Sequence, residues 1–127
     1  MALNEGFVSA VIAVSDMSRA KEFYEGKLGL TGGQDQPDGG CRYSCAGGTQ
    51  IHIYPSPENA GTSGATQGAW IVGDIEATVD ELTGRGVTFE RYGEPINTDE
   101  RGIARLDDYV GAWFKDPDGN ILGLGSQ

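Results

Sequence analysis

The chain has 127 residues, of which 38% are hydrophobic and 22% charged, a balance typical of one folded soluble domain. Its formal net charge of −10 disfavours nucleic acid and anionic membranes as partners, and favours cationic ones. No apolar run reaches the roughly 18 residues of a membrane span, and the N-terminus lacks the basic and apolar regions of a signal peptide. We therefore expect a cytoplasmic protein in which Cys41 and Cys45 are reduced thiols.

The first predicted elements are a strand that ends at Val14 and an amphipathic helix that begins after Asp16. An aspartate at this position caps a helix, because its side chain accepts hydrogen bonds from backbone N–H groups that have no partner in the helix. Apolar residues recur at helical spacing along one side of the segment. This apolar side consists of Ala20, Phe23, Tyr24 and Leu28.

The second half of the chain repeats this order. Residues 14–25, VSDMSRAKEFYE, match residues 72–83, VGDIEATVDELT, so Asp74 is predicted to cap a second helix. Further along, residues 48–53, GTQIHI, match residues 119–124, GNILGL. Both halves therefore share the order of one strand, one helix and three short strands.

Such a βαβββ unit is a small sheet with one helix on one face, so its opposite face is left open. Two units side by side would form a curved mixed sheet with a central cup on the open face. The sequence thus predicts an α+β fold with one domain over residues 1–127. Its two duplicated modules are expected at about residues 5–56 and 66–125.

The last predicted element is a hairpin within residues 113–124, WFKDPDGNILGL. Proline presets φ for a turn, glycine permits positive φ, and Asp and Asn side chains can bond their own backbone. This segment resembles the C-terminal signature of the vicinal oxygen chelate superfamily, which includes glyoxalase I, extradiol dioxygenases and bleomycin-resistance proteins. The resemblance implies the same βαβββ duplication that the internal repeat predicts.

In metal-using members of that superfamily, four ligands, usually His, Gln or Glu, converge on the cup. Carried over by counting from matched landmarks, the resemblance places these positions at Ser9, His52, Gln67 and Gly123. Glycine has no ligand atom, and a neutral serine hydroxyl is a poor ligand for a divalent ion. His52 and Gln67 fall short of the usual three or four protein ligands, and no carboxylate base remains among the four positions. We therefore expect no metal and no other cofactor.

Strand alternation extends the predicted cup. If Ser9 faces the cup, then Val8, Ala10, Ile12 and Val14 pack under the helix, and Trp70 is assigned to the core of the second module. Consecutive side chains point to opposite faces, so only one of Trp113 and Phe114 reaches the cup. His52 is the one candidate catalytic residue, although a hydrogen bond to a neighbouring side chain would equally explain it. The predicted ligand-binding positions are Ser9, His52, Tyr54, Gln67, Trp113, Phe114 and Gly123.

Three functions fit these features. The first is a metal-free protein that sequesters an aromatic or cationic small molecule, similar to the bleomycin-resistance branch, which holds a drug between two chains. The second is a lyase, isomerase or dioxygenase, lactoylglutathione-lyase-like or dioxygenase-like, with an atypical metal set that adds Glu94 or Asp107. A metal-free acid–base variant would use His52 and Tyr54 instead. The third is a protein-interaction module.

We also expect a homodimer, because each half leaves sheet edges and an open face that pairing would cover. The sequence leaves open whether the two modules pair within one chain or across a swapped dimer.

Overall fold

The computed structural model describes residues 2–126 and confirms the α+β fold built from two βαβββ modules. Each module contributes one strand, one helix and three further strands, in the order that the internal repeat predicts. The first module comprises β1 (Ser9–Val14), α1 (Met17–Lys21) with a π-helical continuation (Glu22–Lys27), β2 (Gln34–Asp35), β3 (Cys41–Ser44) and β4 (Gln50–Pro55). The second comprises β5 (Thr66–Val72), α2 (Ile75–Gly84), β6 (Ile103–Leu106), β7 (Tyr109–Lys115) and β8 (Ile121–Ser126).

The two modules form two four-stranded mixed sheets with the same topology. The strand order is β1-β4-β3-β2 in the first sheet and β5-β8-β7-β6 in the second. In each sheet the first and last strands of the module pair in parallel, and the other pairs are antiparallel. The sheets differ at Gln67, where a register shift between Thr66 and Gly68 interrupts the pairing of β5 with β8.

Both helices begin where the sequence predicts. The Asp16 side chain accepts a hydrogen bond from the Arg19 N–H at 3.1 Å, and the Asp74 side chain accepts one from the Ala77 N–H at 3.0 Å. Each carboxylate therefore satisfies a backbone donor that the first helical turn leaves without a partner. No helix within residues 2–126 has the length and apolar character needed to cross a bilayer.

One hydrophobic core joins the two modules. The Phe23 ring, from the first helical segment, lies 6.2 Å from the Phe114 ring of β7 in the second sheet. Near the ends of the two helices, Lys27 Nζ donates to the Gly86 carbonyl at 3.5 Å. The modules thus pack through their helix-covered faces, which leaves the other face of each sheet without a helix. The largest fully buried side chains are Tyr24, Tyr43, Phe114, Ile12, Ile53, Ile103, Leu122, Val14, Val79 and Cys41.

The predicted hairpin between β7 and β8 also links the two modules by hydrogen bonds. Asp116 Oδ1 accepts hydrogen bonds from the backbone N–H groups of Asp118 and Asn120, both at 2.9 Å, which fixes the turn. Asp116 Oδ2 accepts a hydrogen bond from the Tyr24 hydroxyl at 2.8 Å, and Asn120 Nδ2 donates to the Ala13 carbonyl at 2.7 Å. The turn therefore bonds both β1 and the first helical segment.

A charged cluster attaches the loop before β6 to α2. Arg101 bonds Glu76 and Asp80, and Arg105 bonds Glu76 and Asp99. The hydrogen bonds from Arg105 and then Arg101 hold the pKa of the Glu76 carboxyl below its usual 4.5. The cluster is exposed, so solvent screens much of its contribution to stability.

Two packing predictions have different outcomes. Trp70 lies on the helix side of the second sheet, where its half-buried ring stacks at 6.4 Å on Phe114, as the sequence predicts. Val8 was predicted to pack under the helix, and this is wrong. It precedes β1 and is 76% exposed, because the strand that would turn it inward begins only at Ser9.

Candidate functional site

Each sheet has one face without a helix, and the candidate site residues lie on these two faces. We define the first open face by Ser9, Val11, Ala13, Gln34, Arg42, His52 and Tyr54. We define the second open face by Ala69, Ile71, Leu106, Tyr109, Gly111, Trp113, Gly123 and Gly125.

The first open face carries a row of polar side chains across three of its four strands, β2, β3 and β4. Arg42 of β3 pairs with His52 of β4 on one side and with Gln34 of β2 on the other, while Val11 of β1 pairs with His52. Residues directly opposite in neighbouring strands share a face, with Cβ atoms roughly 5 Å apart in antiparallel pairs. Tyr54 follows on β4, with its ring 6.3 Å from the imidazole of His52. An amide, a guanidinium, an imidazole and a phenol are therefore neighbours on this face.

Asp38 fixes the orientation of His52. The distance from His52 Nε2 to Asp38 Oδ2 is 2.9 Å. The backbone N–H of Gly40 and, to a smaller extent, His52 lower the pKa of the Asp38 carboxyl, which is therefore ionised near neutral pH and accepts the hydrogen bond. In the neutral imidazole, Nδ1 is then the acceptor that remains for a ligand. Asp38 is not among the site residues predicted from the sequence, although Pro37-Asp38-Gly39 repeats the turn residues Pro117-Asp118-Gly119.

Arg42 differs from the other polar side chains of the first open face because its guanidinium has no partner within residues 2–126. Its Nε is buried and makes no hydrogen bond. Among the described residues, it is the one buried side-chain nitrogen or oxygen atom without a hydrogen-bond partner. Cys41 and Tyr43, its neighbours on β3, are buried on the helix side. Strand alternation therefore directs Arg42 to the open face. The sequence left its direction uncertain, and the pairing with His52 settles it.

The second open face is apolar, and its Trp113 and Tyr109 rings lie beside glycine residues of β8. A Cβ at position 123 would lie 3.3 Å from Trp113 Cδ1, and one at position 125 would lie 2.8 Å from the Tyr109 hydroxyl oxygen. The rings of Trp113 and Tyr109 therefore lie against strand backbone in space that any larger residue would fill. Ile71, on the same face, is 57% exposed.

Tyr92 adds a third ring beside this face. Its ring centroid lies 5.8 Å from that of Trp113, at an interplanar angle of 67°. This edge-to-face contact is a preferred arrangement of aromatic pairs and stabilises the position of the indole. Tyr92 belongs to the irregular segment between α2 and β6, where neither helical nor strand periodicity could predict its direction.

The structure decides between Trp113 and Phe114. Trp113 lies on the second open face, whereas Phe114 is fully buried among Phe23, Trp70 and Phe89 on the helix side. The prediction of Phe114 as a ligand-binding residue is therefore wrong, since its ring fills the core between the sheets. The other predicted positions remain accessible or line an open face.

The four positions that correspond to metal ligands are divided between the two sheets and include no carboxylate. Ser9 and His52 belong to the first sheet, while Gln67 and Gly123 belong to the second. His52 is bonded to Asp38, and Gln67 Nε2 donates to the carbonyl of Ala65 at 3.0 Å. Within residues 2–126, no three or more His, Cys, Asp or Glu side chains are grouped as a metal site. These residues do not fit a divalent metal.

A groove of about 450 Å³ lies elsewhere, between the first helical segment and the end of β7. Arg19 and Lys115 line it, but Arg19 bonds Asp118 at 3.0 Å and Lys115 lies 3.7 Å from Glu90. Lys27, which also lines the groove, bonds the Gly86 carbonyl, so the cationic side chains of the groove already have partners. The unengaged guanidinium and the exposed rings belong to the open faces, which are therefore the better candidate site.

Comparison with known proteins identifies the family. The model of the Glyoxalase/Bleomycin resistance protein/Dioxygenase superfamily matches residues 6–124. The chain belongs to this superfamily. No curated protein sequence matches it.

Three solved structures illustrate the proteins to which this chain is similar. An antibiotic-binding protein, TnmS3 from Streptomyces sp. CB03234, is 25% identical, with a TM-score of 0.74 and coverage of 99% of this chain and 98% of that chain. A glyoxalase/bleomycin resistance protein from the same Streptomyces strain is 25% identical, with a TM-score of 0.70 and coverage of 94% and 98%. The oxidase ChaP-H2 is 22% identical, with a TM-score of 0.66 and coverage of 100% and 95%, and it shares the fold.

Proposed function

We propose that this superfamily member is a metal-free small-molecule-binding protein that sequesters a flat aromatic compound. The observation that carries the proposal is the second open face, where the rings of Trp113 and Tyr109 lie close to glycine backbone. A planar ligand stacked there would bury apolar surface, and an aromatic pair contributes about 0.5–1.5 kcal/mol beyond that burial. Similarity to an antibiotic-binding protein supports this reading. The cationic ligand class suggested by the net charge has less support, because Asp38, the carboxylate beside the first open face, already accepts hydrogen bonds from His52 and Gly40.

The proposed binding unit is a homodimer. The two sheets of one chain share a core on their helix-covered side, which leaves both open faces uncovered. Val11 on the first open face is 55% exposed and Ile71 on the second is 57% exposed. A two-fold dimer that places the first open face of one protomer over the second open face of its partner would cover both residues. The same contact would create two closed cups, each with one polar wall and one aromatic wall.

We place this protein in the cytoplasm, where cysteines remain reduced. Cys41 and Cys45 are free thiols, and Cys41 is buried in the core of the first module. A thiol without a disulfide partner is compatible with a reducing compartment.

A second candidate function is metal-free acid–base catalysis, as in a lyase or isomerase, and the His52–Asp38 pair favours it. An imidazole whose orientation is fixed by a carboxylate can accept a proton from a substrate that lies within hydrogen-bond distance. Tyr54 would then be the neighbouring acid. This alternative requires turnover, whereas the binding function requires only that the ligand is held.

The first experiment uses the two tryptophans as an internal comparison. Aromatic compounds are screened by thermal shift, and hits are titrated by intrinsic fluorescence. Trp113 lies on the open face and Trp70 on the helix side, so the ligand should quench Trp113. We expect Trp113→Ala or Tyr109→Ala to weaken binding roughly tenfold or more, as loss of a stacking ring does. Trp113→Phe should retain binding and lose the quenching.

Mass spectrometry then separates binding from catalysis. The bound compound is incubated with the protein in excess, extracted and weighed. Recovery of the unchanged compound supports the binding function. Conversion that disappears in His52→Ala would replace it with the enzymatic alternative, and His52→Ala should otherwise reduce affinity only modestly.

A further inference from the structure

Most cationic side chains of this acidic protein already have a carboxylate partner. The chain has 9 Lys and Arg residues against 19 Asp and Glu residues, so acceptors are abundant. Arg42 is an exception, because its buried Nε makes no hydrogen bond and its guanidinium makes no ion pair within residues 2–126. The cations with described carboxylate partners are Arg19, Lys21, Arg85, Arg101, Arg105 and Lys115.

Arg42, which carries this unpaired charge, lies within the proposed site. It lies in the middle of the polar row, between Gln34 and His52. Asp38 is a nearby carboxylate, but its Oδ2 bonds His52 and its Oδ1 accepts the backbone N–H of Gly40. Asp38 therefore does not engage Arg42, and a desolvated guanidinium donor without an acceptor raises the free energy of the unliganded protein.

We propose that Arg42 recognises an anionic group on the ligand, so that the bound compound is an aromatic acid bearing a carboxylate or an ionised phenol or enol. The proposal rests on the proposed binding function and narrows its ligand class. A guanidinium presents its N–H donors in a rigid planar fork that matches a carboxylate and gives short, charge-assisted hydrogen bonds. Gln34 and the Nδ1 of His52 flank Arg42, where they could bond neighbouring polar groups of the ligand.

The proposal does not follow from the charge of the whole protein. A net charge of −10 repels anions at long range. An anionic ligand would therefore be selected by local contacts with Arg42, and raised salt should change its affinity less than it would for a surface ion pair, because buried pairs are weakly screened. A carboxylate from the partner subunit is the competing acceptor, and the experiment distinguishes the two.

The test compares probes that share one ring system and differ in charge. 2-Naphthoate, its methyl ester and 2-naphthylmethylammonium are titrated into the full-length protein by calorimetry. We expect 2-naphthoate to bind about tenfold or more tightly than the ester, with the ammonium probe weakest. In Arg42→Gln, 2-naphthoate and its ester should bind with about equal affinity. In Arg42→Lys, the preference for 2-naphthoate should lie between those of Arg42→Gln and the wild type. Arg91→Gln is the matched control, since Arg91 is exposed and lines a cavity against α2, and it should retain the preference.

Three other outcomes would each contradict the proposal, and the same measurements distinguish them. If all three probes bind with similar affinity and Arg42→Gln changes none of them, anion recognition is wrong while the binding function stands. If Arg42→Gln instead converts a dimer to a monomer in light scattering, Arg42 bonds a carboxylate of the second copy. If no probe binds the wild-type protein at millimolar concentration, the aromatic-binding function itself fails.

Discussion

Replacing Tyr24 with phenylalanine should destabilise the protein by weakening the connection between its modules. The Tyr24 hydroxyl donates to Asp116 Oδ2 at 2.8 Å, and both residues are buried. Burial and then the negative charge of Asp116 raise the pKa of Tyr24 far above its ordinary value, so the phenol remains a donor at all working pH values. Without it, the buried Asp116 Oδ2 keeps only its hydrogen bond from Asn120 Nδ2, at 2.9 Å.

The expected loss in the free energy of unfolding is about 1.5–3 kcal/mol, the usual value of a hydrogen bond to a charged group. For a domain of this size that loss lowers Tm by roughly 5–15 °C. Tyr43→Phe is the matched control, because Tyr43 is equally buried and its hydroxyl donates at 2.7 Å to Glu25, an exposed carboxylate. Water can replace that donor, so the control should lose only about 0.5–1 kcal/mol.

Both variants are unfolded by urea and by heat, and the free energy of unfolding and Tm are compared with those of the wild type. Unchanged m-values would show that the substitutions alter stability rather than the surface exposed on unfolding. Equal losses for Tyr24→Phe and Tyr43→Phe, or a larger loss for the control, would refute the reasoning that the buried carboxylate needs the Tyr24 donor.

Three further predictions address charge, assembly and metal. Because the pKa of Glu76 is lowered in the folded protein, its stabilising contribution is present above pH 4.5 and is lost as pH falls through the folded-state pKa. The Tm of Glu76→Gln should therefore approach that of the wild type in acid. Light scattering should give twice the 13.4 kDa chain mass for the wild type and Thr83→Glu, and a single chain mass for Ile71→Glu, which puts a charge in the proposed interface. Elemental analysis should find no stoichiometric metal in the wild type or Gly123→Glu, and about one zinc, nickel, manganese or iron per chain would contradict the metal-free function.

The duplicated fold could be predicted because its evidence is local and repeated. Asp16 and Asp74 precede matching amphipathic segments, and a capping side chain acts within a few residues of its own position. The hairpin turn at residues 116–120 likewise follows from proline, glycine and two kinds of turn-forming side chain. Such features do not depend on how the modules pack, so the sequence suffices for them.

The site could be predicted only in part, because strand alternation leaves the absolute direction of side chains open. Trp113 and Phe114 are adjacent, and only packing against the first module shows that Phe114 fills the core. Gln67 lies at a register shift, where the alternation is interrupted. The bonding of His52 to Asp38 joins residues from different strands and turns, which periodicity does not relate.

Gly123 connects the absence of a metal ligand with the aromatic character of the second open face. The resemblance to metal-using members of the superfamily places a metal ligand at this position, but here the backbone of Gly123 lies against the indole of Trp113. A Cβ at position 123 would already lie 3.3 Å from Trp113 Cδ1 and 3.4 Å from Nε1, which is a tight contact. A longer side chain would displace the ring. On this face a carboxylate ligand and a stacking surface therefore exclude each other. The glycine that removes a metal-ligand position also leaves room for the aromatic ring.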